Sequence, residues 1–246
     1  MTATTIAPVQ PYSGNVSCVG PIYDVGPTFR ERLSVLDRHS KQFISMRYWL
    51  LGAAKEDKAY YVTLEAMEYA ASFHTGLRKD DVTPEFNHQL SIAHYIRTLL
   101  PSLRHPAESL ATIFLHDVCE GYDVGFDEIG NRFGQVICRS TRLMTKKHRG
   151  VIKPRDLYFG ELAEDPIASV DKGGDRIHNL QTMNKARWTV EKQQAYVDEG
   201  RTDFLPMLKK ARRNFPDQEM AYENIKHVLC SQIELIEASL EAQRAA

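Results

Sequence analysis

FLHDVCE, residues 114–120, and GGDRIHNLQT, residues 173–182, decide the reading of this chain. Each is an apolar helical pattern interrupted by residues that bind metal or move protons. On a helix, adjacent side chains diverge by about 100°. His116 and Asp117 can therefore share one cation only where their helix faces a cavity, and further ligands must come from elsewhere. Asp175 follows two glycines that let backbones approach closely, and it is the natural carboxylate. His88 is the leading second imidazole, His74 comes next, and His94 and His105 are neighbouring competitors. Against this, an arbitrary His-Asp pair in a core helix is more often a buried hydrogen-bonded pair, and an Asp after Gly174 fits a helix N-cap. The company that the two stretches keep favours a site.

The composition limits what such a site can serve. At 246 residues with 43% hydrophobic and 26% charged residues, the chain can bury a substantial core and reads as one domain. A formal net charge of -1 provides no global basic field for nucleic acid or anionic membranes, so an anionic substrate must be drawn by local charge. No apolar run is long enough for a membrane span. Cys18, Cys119, Cys138 and Cys230 show neither CxxC pairing nor regular spacing, which implies reduced thiols and a cytoplasmic setting. Residues 1–26, rich in Pro, Gly, Ser and Thr, read as a flexible N-terminal arm.

From Thr28 to Ala54, apolar residues recur every three or four positions, as expected of amphipathic helices, and Tyr48 with Trp49 reads as core. Asp57 can cap the next helix, which runs towards Gly76. The polar segment around Pro84 is a loop into a helix over 85–100 with His88 in its first turn. The unusually apolar helix over 107–120 is expected at the centre. The stretches around Ile129, Ile137, Leu157 and Ile177 continue as helices, and two more follow Val190, parted by FPDQ at 215–218. No alternating β-branched run or hairpin turn is evident, so the expected fold is all-α.

Two imidazoles and two carboxylates form a nitrogen and oxygen set suited to manganese, iron, cobalt or zinc. A cation there polarises a phosphoryl oxygen and acidifies water, as hydrolysis of a phosphate ester or anhydride requires. Glu120 lies one turn beyond His116 and can accept or donate a proton. Asn179 lies one turn beyond Asp175 and can hold a phosphate or ribose oxygen, or brace the helix together with Arg176. His178 reads as structural.

In order, the chain presents HTGLRK at 74–79, Pro84 and His88, LHDVCE, EIGNRFGQV, MTK at 144–146 and KGGDRIHNLQT. This series, from about His74 to Met183, resembles the hydrolase domain of the RelA/SpoT family within the HD phosphohydrolase superfamily, and the chain is similar to its small hydrolase-only members. The resemblance implies an all-α HD-domain helical bundle with additional N- and C-terminal helices: a single domain over 27–246, with a motif core over 57–185 and a C-terminal helical extension over 190–246. It also implies a manganese-dependent enzyme, with another divalent transition metal as the substitute, that removes the 3′-pyrophosphate from guanosine tetra- or pentaphosphate. Carried over, His88, His116, Asp117 and Asp175 are the metal ligands and Glu120 the first of two catalytic carboxylates. Arg78 and Lys79 contact base and phosphates, Asn179 and Thr182 contact nucleoside and phosphate, and Lys146 is a further substrate-binding candidate.

Gly121 stands where the family has its second carboxylate, leaving that group missing or replaced by Asp123. Leu77 replaces a Gln, and Phe86-Asn87 a Tyr-Ile. These departures bear on substrate identity. The alternatives are an HD-superfamily nucleotidase or deoxynucleoside triphosphatase, and a non-catalytic nucleotide-binding module. The arm and the helices after Val190 are expected to cover the site or to pair subunits into a homo-oligomer.

Overall fold

The most apolar stretch of the sequence, residues 110–115, is wholly buried, and the other helices wrap around it. The structure, a computed structural model, describes residues 29–183 and 188–245; the expected arm over 1–26, with Cys18, lies outside them. In chain order the helices are α1 (Phe29–Glu56), α2 (Ala59–Phe73), α3 (Asn87–Ile96), α4 (Pro106–Leu115), α5 (Val118–Gly121), α6 (Phe126–Phe133) and α7 (Gln135–Met144). A hairpin of β1 (Lys147–His148) and β2 (Val151–Ile152) precedes α8 (Arg155–Leu162), α9 (Ala168–Gln181), α10 (Val190–Glu199), α11 (Leu205–Asn214) and α12 (Glu219–Ala245). The fold is all-α apart from that hairpin.

Local chemistry explains the boundaries. The two helical segments expected before Ala54 form the single helix α1, which buries Met46, Leu50 and Ala54 against α2. Trp49 packs edge-on to Tyr60 at 5.6 Å, whereas Tyr48 is 68% exposed and is not core. Asp57, expected to cap α2, stands one residue before its N-cap Lys58, and its Oδ1 accepts the Ala59 amide at 2.9 Å. The expected helix over 85–100 is shorter: α3 ends at Ile96 and tightens into a 3-10 segment, Arg97–Ser102, where Pro101 has no N–H to give. The hairpin after α7 had no periodic signal. It is two residues long on each side and turns on Arg149 (φ 46°) and Gly150 (φ 83°), the positive-φ pair that a tight hairpin needs. After Val190, α10 passes through a π turn, Gly200–Phe204, into α11, which begins with Pro206 near its N-terminus. FPDQ then breaks the chain before α12.

Helix α9 is the axle of the bundle, packed against α3, α4, α7 and α12. Its glycines make this possible. A Cβ on Gly173 would lie 2.7 Å from Ile225 Cγ2 on α12, and one on Gly174 would lie 3.0 Å from Ile96 Cδ1 on α3. Asp175 therefore sits in mid-helix, not at an N-cap, and is carried into the centre of the molecule. In contrast, Gly160 on α8 has open space around its missing side chain. Gly173→Ala is expected to lower stability by about 1–3 kcal/mol through overpacking, despite alanine's better helix propensity. Gly160→Ala is expected to raise it by about 0.5–1 kcal/mol. Urea denaturation of the two variants checks both signs.

Candidate metal centre

The central apolar helix does not run to Glu120 as expected. It stops at Leu115, a turn carries His116 and Asp117, and α5 resumes for only four residues. Both residues keep right-handed helical backbone angles, His116 at φ -58°, ψ -34° and Asp117 at φ -93°, ψ -9°, so it is the side chains that turn towards each other. His116 Nε2 and Asp117 Oδ2 lie 3.2 Å apart. From α3, His88 Nε2 lies 3.0 Å from Asp175 Oδ1 and 3.9 Å from Asp117 Oδ2, and His116 Nε2 lies 3.9 Å from Asp175 Oδ1. One nitrogen or oxygen from each of His88, His116 and Asp117 falls within 4.8 Å of the others. The four side chains proposed from sequence thus converge from α3, the α4–α5 turn and α9.

Hydrogen bonding determines which atoms they present. His116 Nδ1 lies 2.7 Å from the Ile113 carbonyl, which can only accept, so Nδ1 carries the proton and Nε2 is left with its lone pair. That Nε2 is buried without a hydrogen-bond partner, yet it faces two carboxylates. His88 Nδ1 lies 2.7 Å from His178 Nδ1. Burial, followed by the charge of His88, drives the His178 pKa down to about 3, so His178 is neutral. His88 turns its Nε2 to the two carboxylates. Two lone pairs and two carboxylates pointing at one place require a positive charge. Without metal a proton supplies it: burial opposes the charged form of His116, but Asp117 outweighs burial and lifts the pKa to about 9. Burial likewise opposes ionisation of Asp117 and Asp175. The charge of His116 holds Asp117 below the ordinary range, and Lys172, 2.7 Å from Asp175 Oδ2, holds Asp175 there too. The donor set and the orphaned nitrogen fit a divalent cation of the nitrogen- and oxygen-seeking kind.

Three of the four, His88, Asp117 and Asp175, line a cleft of about 990 Å³. Its walls include Arg78, Lys79, Glu120, Lys146, Asn179 and Thr182, the six residues marked from sequence as catalytic or substrate-binding. Arg78 Nη2 donates to Thr182 Oγ1 at 3.4 Å, across 104 residues of chain. Asn179 Nδ2 donates to Asp175 Oδ1 at 2.6 Å, and so steadies that carboxylate. Glu120 Oε2 accepts the Lys146 amide at 3.0 Å, and Lys146 Nζ lies 3.6 Å from Glu199 Oε1. Asp123 is not brought in. Its side chain is 91% exposed and pairs with Arg149 at 3.2 Å, so it does not replace the carboxylate that Gly121 lacks.

Some residues at the site had weak or no sequence signal. Lys172 could have been read from its three-residue spacing to Asp175. Trp188, Lys192 and Tyr196, which line one wall at four-residue spacing, could have been read as a helical stripe. Arg176, 3% exposed, donates to the Tyr196 carbonyl, pairs with Glu199 at 2.9 Å and stacks on Tyr196 and Phe204, so it ties α9 to α10. His178, read as structural, abuts His88. His94 bonds to Gln42 of α1 and takes no part in the cluster. Cys119, Cys138 and Cys230 are free thiols.

With this geometry, the comparisons become specific. No family model matches the chain. It is 29% identical over 148 residues to a GTP pyrophosphokinase of Streptomyces coelicolor, a match covering 51% of this chain and 16% of the relative. It is 25% identical over 156 residues to the guanosine-3′,5′-bis(diphosphate) 3′-pyrophosphohydrolase MESH1 of Danio rerio, covering 56% of this chain and 79% of that protein. A solved metazoan orthologue of SpoT that hydrolyses ppGpp superposes with a TM-score of 0.51 at 22% identity, covering 67% of this chain and 93% of that one. The chain has the fold of a SpoT-type hydrolase. It is similar in sequence to RelA/SpoT-type proteins and to MESH1, and spans only about 16% of the length of the pyrophosphokinases it matches.

Behind the cluster, Asp171 is fully buried, with Oδ1 accepting from Ser109 Oγ at 2.5 Å and Oδ2 unpartnered. Burial pushes its carboxyl well above the ordinary range. The folded state therefore keeps a proton that the unfolded chain releases above about pH 3.9, and stability falls as pH rises from there. Asp171→Asn, which keeps the shape without the ionisation, is expected to flatten the loss of stability between about pH 5 and about pH 8. Denaturation midpoints across that range check it.

Proposed function

We propose that this chain is a divalent-metal-dependent hydrolase that removes the 3′-pyrophosphate from guanosine tetra- or pentaphosphate, with Mn2+ as its ion. The observation that carries the reading is the convergence of two imidazole Nε2 atoms and two carboxylates on the floor of a cleft whose walls hold Arg78, Lys79 and Lys146. The names of its relatives, a ppGpp 3′-pyrophosphohydrolase and GTP pyrophosphokinases, support the same substrate class.

In this reading His88, His116, Asp117 and Asp175 hold the ion. When bound, it supplies Lewis acidity that polarises a phosphoryl oxygen and acidifies water. The residues of the chain do the remainder. Arg78, Lys79 and Lys146 offset the charge of the phosphates, and Asn179 and Thr182 give polar contacts to the nucleoside end. Glu120, held by the Lys146 amide, takes a proton from the attacking water or passes one to the leaving oxygen. Water's oxygen bonds to the phosphorus next to the sugar and the 3′-oxygen–phosphorus bond breaks. Pyrophosphate leaves, and the 3′-oxygen takes a proton. Residues 27–246 act as one domain, in which α11 and α12 pack on α9 of the motif core. Among the described residues no helix is long and apolar enough to cross a membrane. A cytoplasmic setting and a part in the stringent response belong to the same proposal.

Incubation with Mn2+ and a nucleotide panel is expected to release pyrophosphate and GDP from ppGpp. Persistence of ppGpp while tripolyphosphate or orthophosphate forms from another nucleotide would move the chain to the nucleotidase alternative. Glu120→Gln is expected to lower kcat by about 10²-fold or more while leaving metal uptake intact; His116→Ala is expected to abolish both. Turnover together with metal analysis separates the two variants.

A further inference from the structure

Asp117 is held from a second side by a residue that the proposed reaction does not use. Gln89, next to His88 on α3, is 1% exposed, and its Nε2 lies 3.2 Å from Asp117 Oδ2 and 3.4 Å from His74 Nε2. A carboxylate oxygen only accepts, so the amide nitrogen, not its oxygen, must face Asp117. The other N–H of the same amide then meets His74 Nε2, which must accept. That places the His74 proton on Nδ1, 3.3 Å from the Tyr122 hydroxyl oxygen, and Tyr122 donates in turn to Glu85 Oε2 at 3.1 Å. The four links have a single sense. They begin at the Gln89 NH2 group and end on two carboxylates, Asp117 on the cleft floor and Glu85 on its wall.

Packing does not account for this arrangement. Gln89 Oε1 is buried without a hydrogen bond, so an amide is kept where an apolar side chain of like size would bury more cleanly. His74, 5% exposed, has its pKa lowered first by burial, in keeping with a neutral ring that accepts at one nitrogen and donates at the other. The links also meet beside the place where the site lacks a carboxylate. A side chain at Gly121 would meet nothing within 4 Å, and Tyr122 follows it directly.

We propose that Gln89 and His74 are positioning residues that aim Asp117 at the cation, with Tyr122 and Glu85 as their anchor. This rests on the metal reading above, and not on the choice of nucleotide. Without the Gln89 N–H, Asp117 keeps only His116 at 3.2 Å and the more distant His88 at 3.9 Å, and its 40%-exposed side chain can swing into the open cleft. Losing such a partner of a metal ligand weakens metal affinity by about 10–100-fold.

The test is a Mn2+ titration of the full chain without nucleotide, read from the electron paramagnetic resonance signal of the free ion. Gln89→Leu is expected to weaken binding by about 10–100-fold while its metal-free melting temperature does not fall. Tyr122→Phe, which keeps the ring packing and removes only the anchor hydroxyl, is expected to weaken binding by less. Asp123→Asn, on the surface, is expected to match the wild type. Mn2+ affinities of Gln89→Leu and Tyr122→Phe indistinguishable from wild type overturn the proposal, and Tyr122→Phe decides it alone if Gln89→Leu does not fold. A wild-type chain that takes up no Mn2+ overturns the metal reading and this proposal together. Because no nucleotide is present, the result stands apart from whether ppGpp is the substrate.

Discussion

The constraint on which the structure turns is electrostatic: two carboxylates and two imidazole lone pairs are packed within a few ångströms of one another, largely out of water. Carboxylate oxygens and unprotonated imidazole nitrogens are all acceptors, and acceptors crowded together in a low dielectric repel unless a positive charge lies among them. The chain supplies part of that charge itself. Lys172 sits on Asp175, and the raised pKa of His116 shows how strongly the cluster draws a proton. A divalent cation meets the same demand without titrating the ligands, and the tautomer that the Ile113 carbonyl fixes leaves His116 Nε2 free to meet it.

The fold can be understood as the means of crowding these groups. Helix α9 has to lie against α3 and α12 closely enough to bring Asp175 to His88, and only the paired glycines before Asp175 allow that approach. At the end of α4 the side chains of His116 and Asp117 turn towards each other, 3.2 Å apart. The second half of the chain then completes the cleft. Arg176 fastens α10 to α9, and Trp188, Lys192 and Tyr196 line the same cleft as Arg78.

Much of this was legible in the residues and some was not, for physical reasons. The all-α class, the central position of residues 110–115 and the role of Gly173 and Gly174 followed from helical periodicity and side-chain size, which are local properties. The convergence of His88 with His116 and Asp175 followed from an ordered series of motifs. The break at His116 was invisible because LHDVCE keeps a helical pattern on both sides of it. The hairpin at 147–152 was invisible because two-residue strands have no period, although Arg149-Gly150 carries the turn. The residues left two readings at Gly121, a missing carboxylate or its replacement by Asp123, and proximity in sequence could not choose between them because it does not set direction: Asp123 points outward and pairs with Arg149. The run from Gln89 through His74 and Tyr122 to Glu85 joins three separate segments, and no single-segment pattern could announce it.

The central claim is that His88, His116, Asp117 and Asp175 surround one divalent cation. Anomalous diffraction from crystals grown with Mn2+ tests it most directly. The account predicts a single strong anomalous peak enclosed by those four side chains, with the Nε2 atoms of both histidines turned to it. A manganese peak elsewhere in the cleft, or none among the four in excess Mn2+, would contradict it.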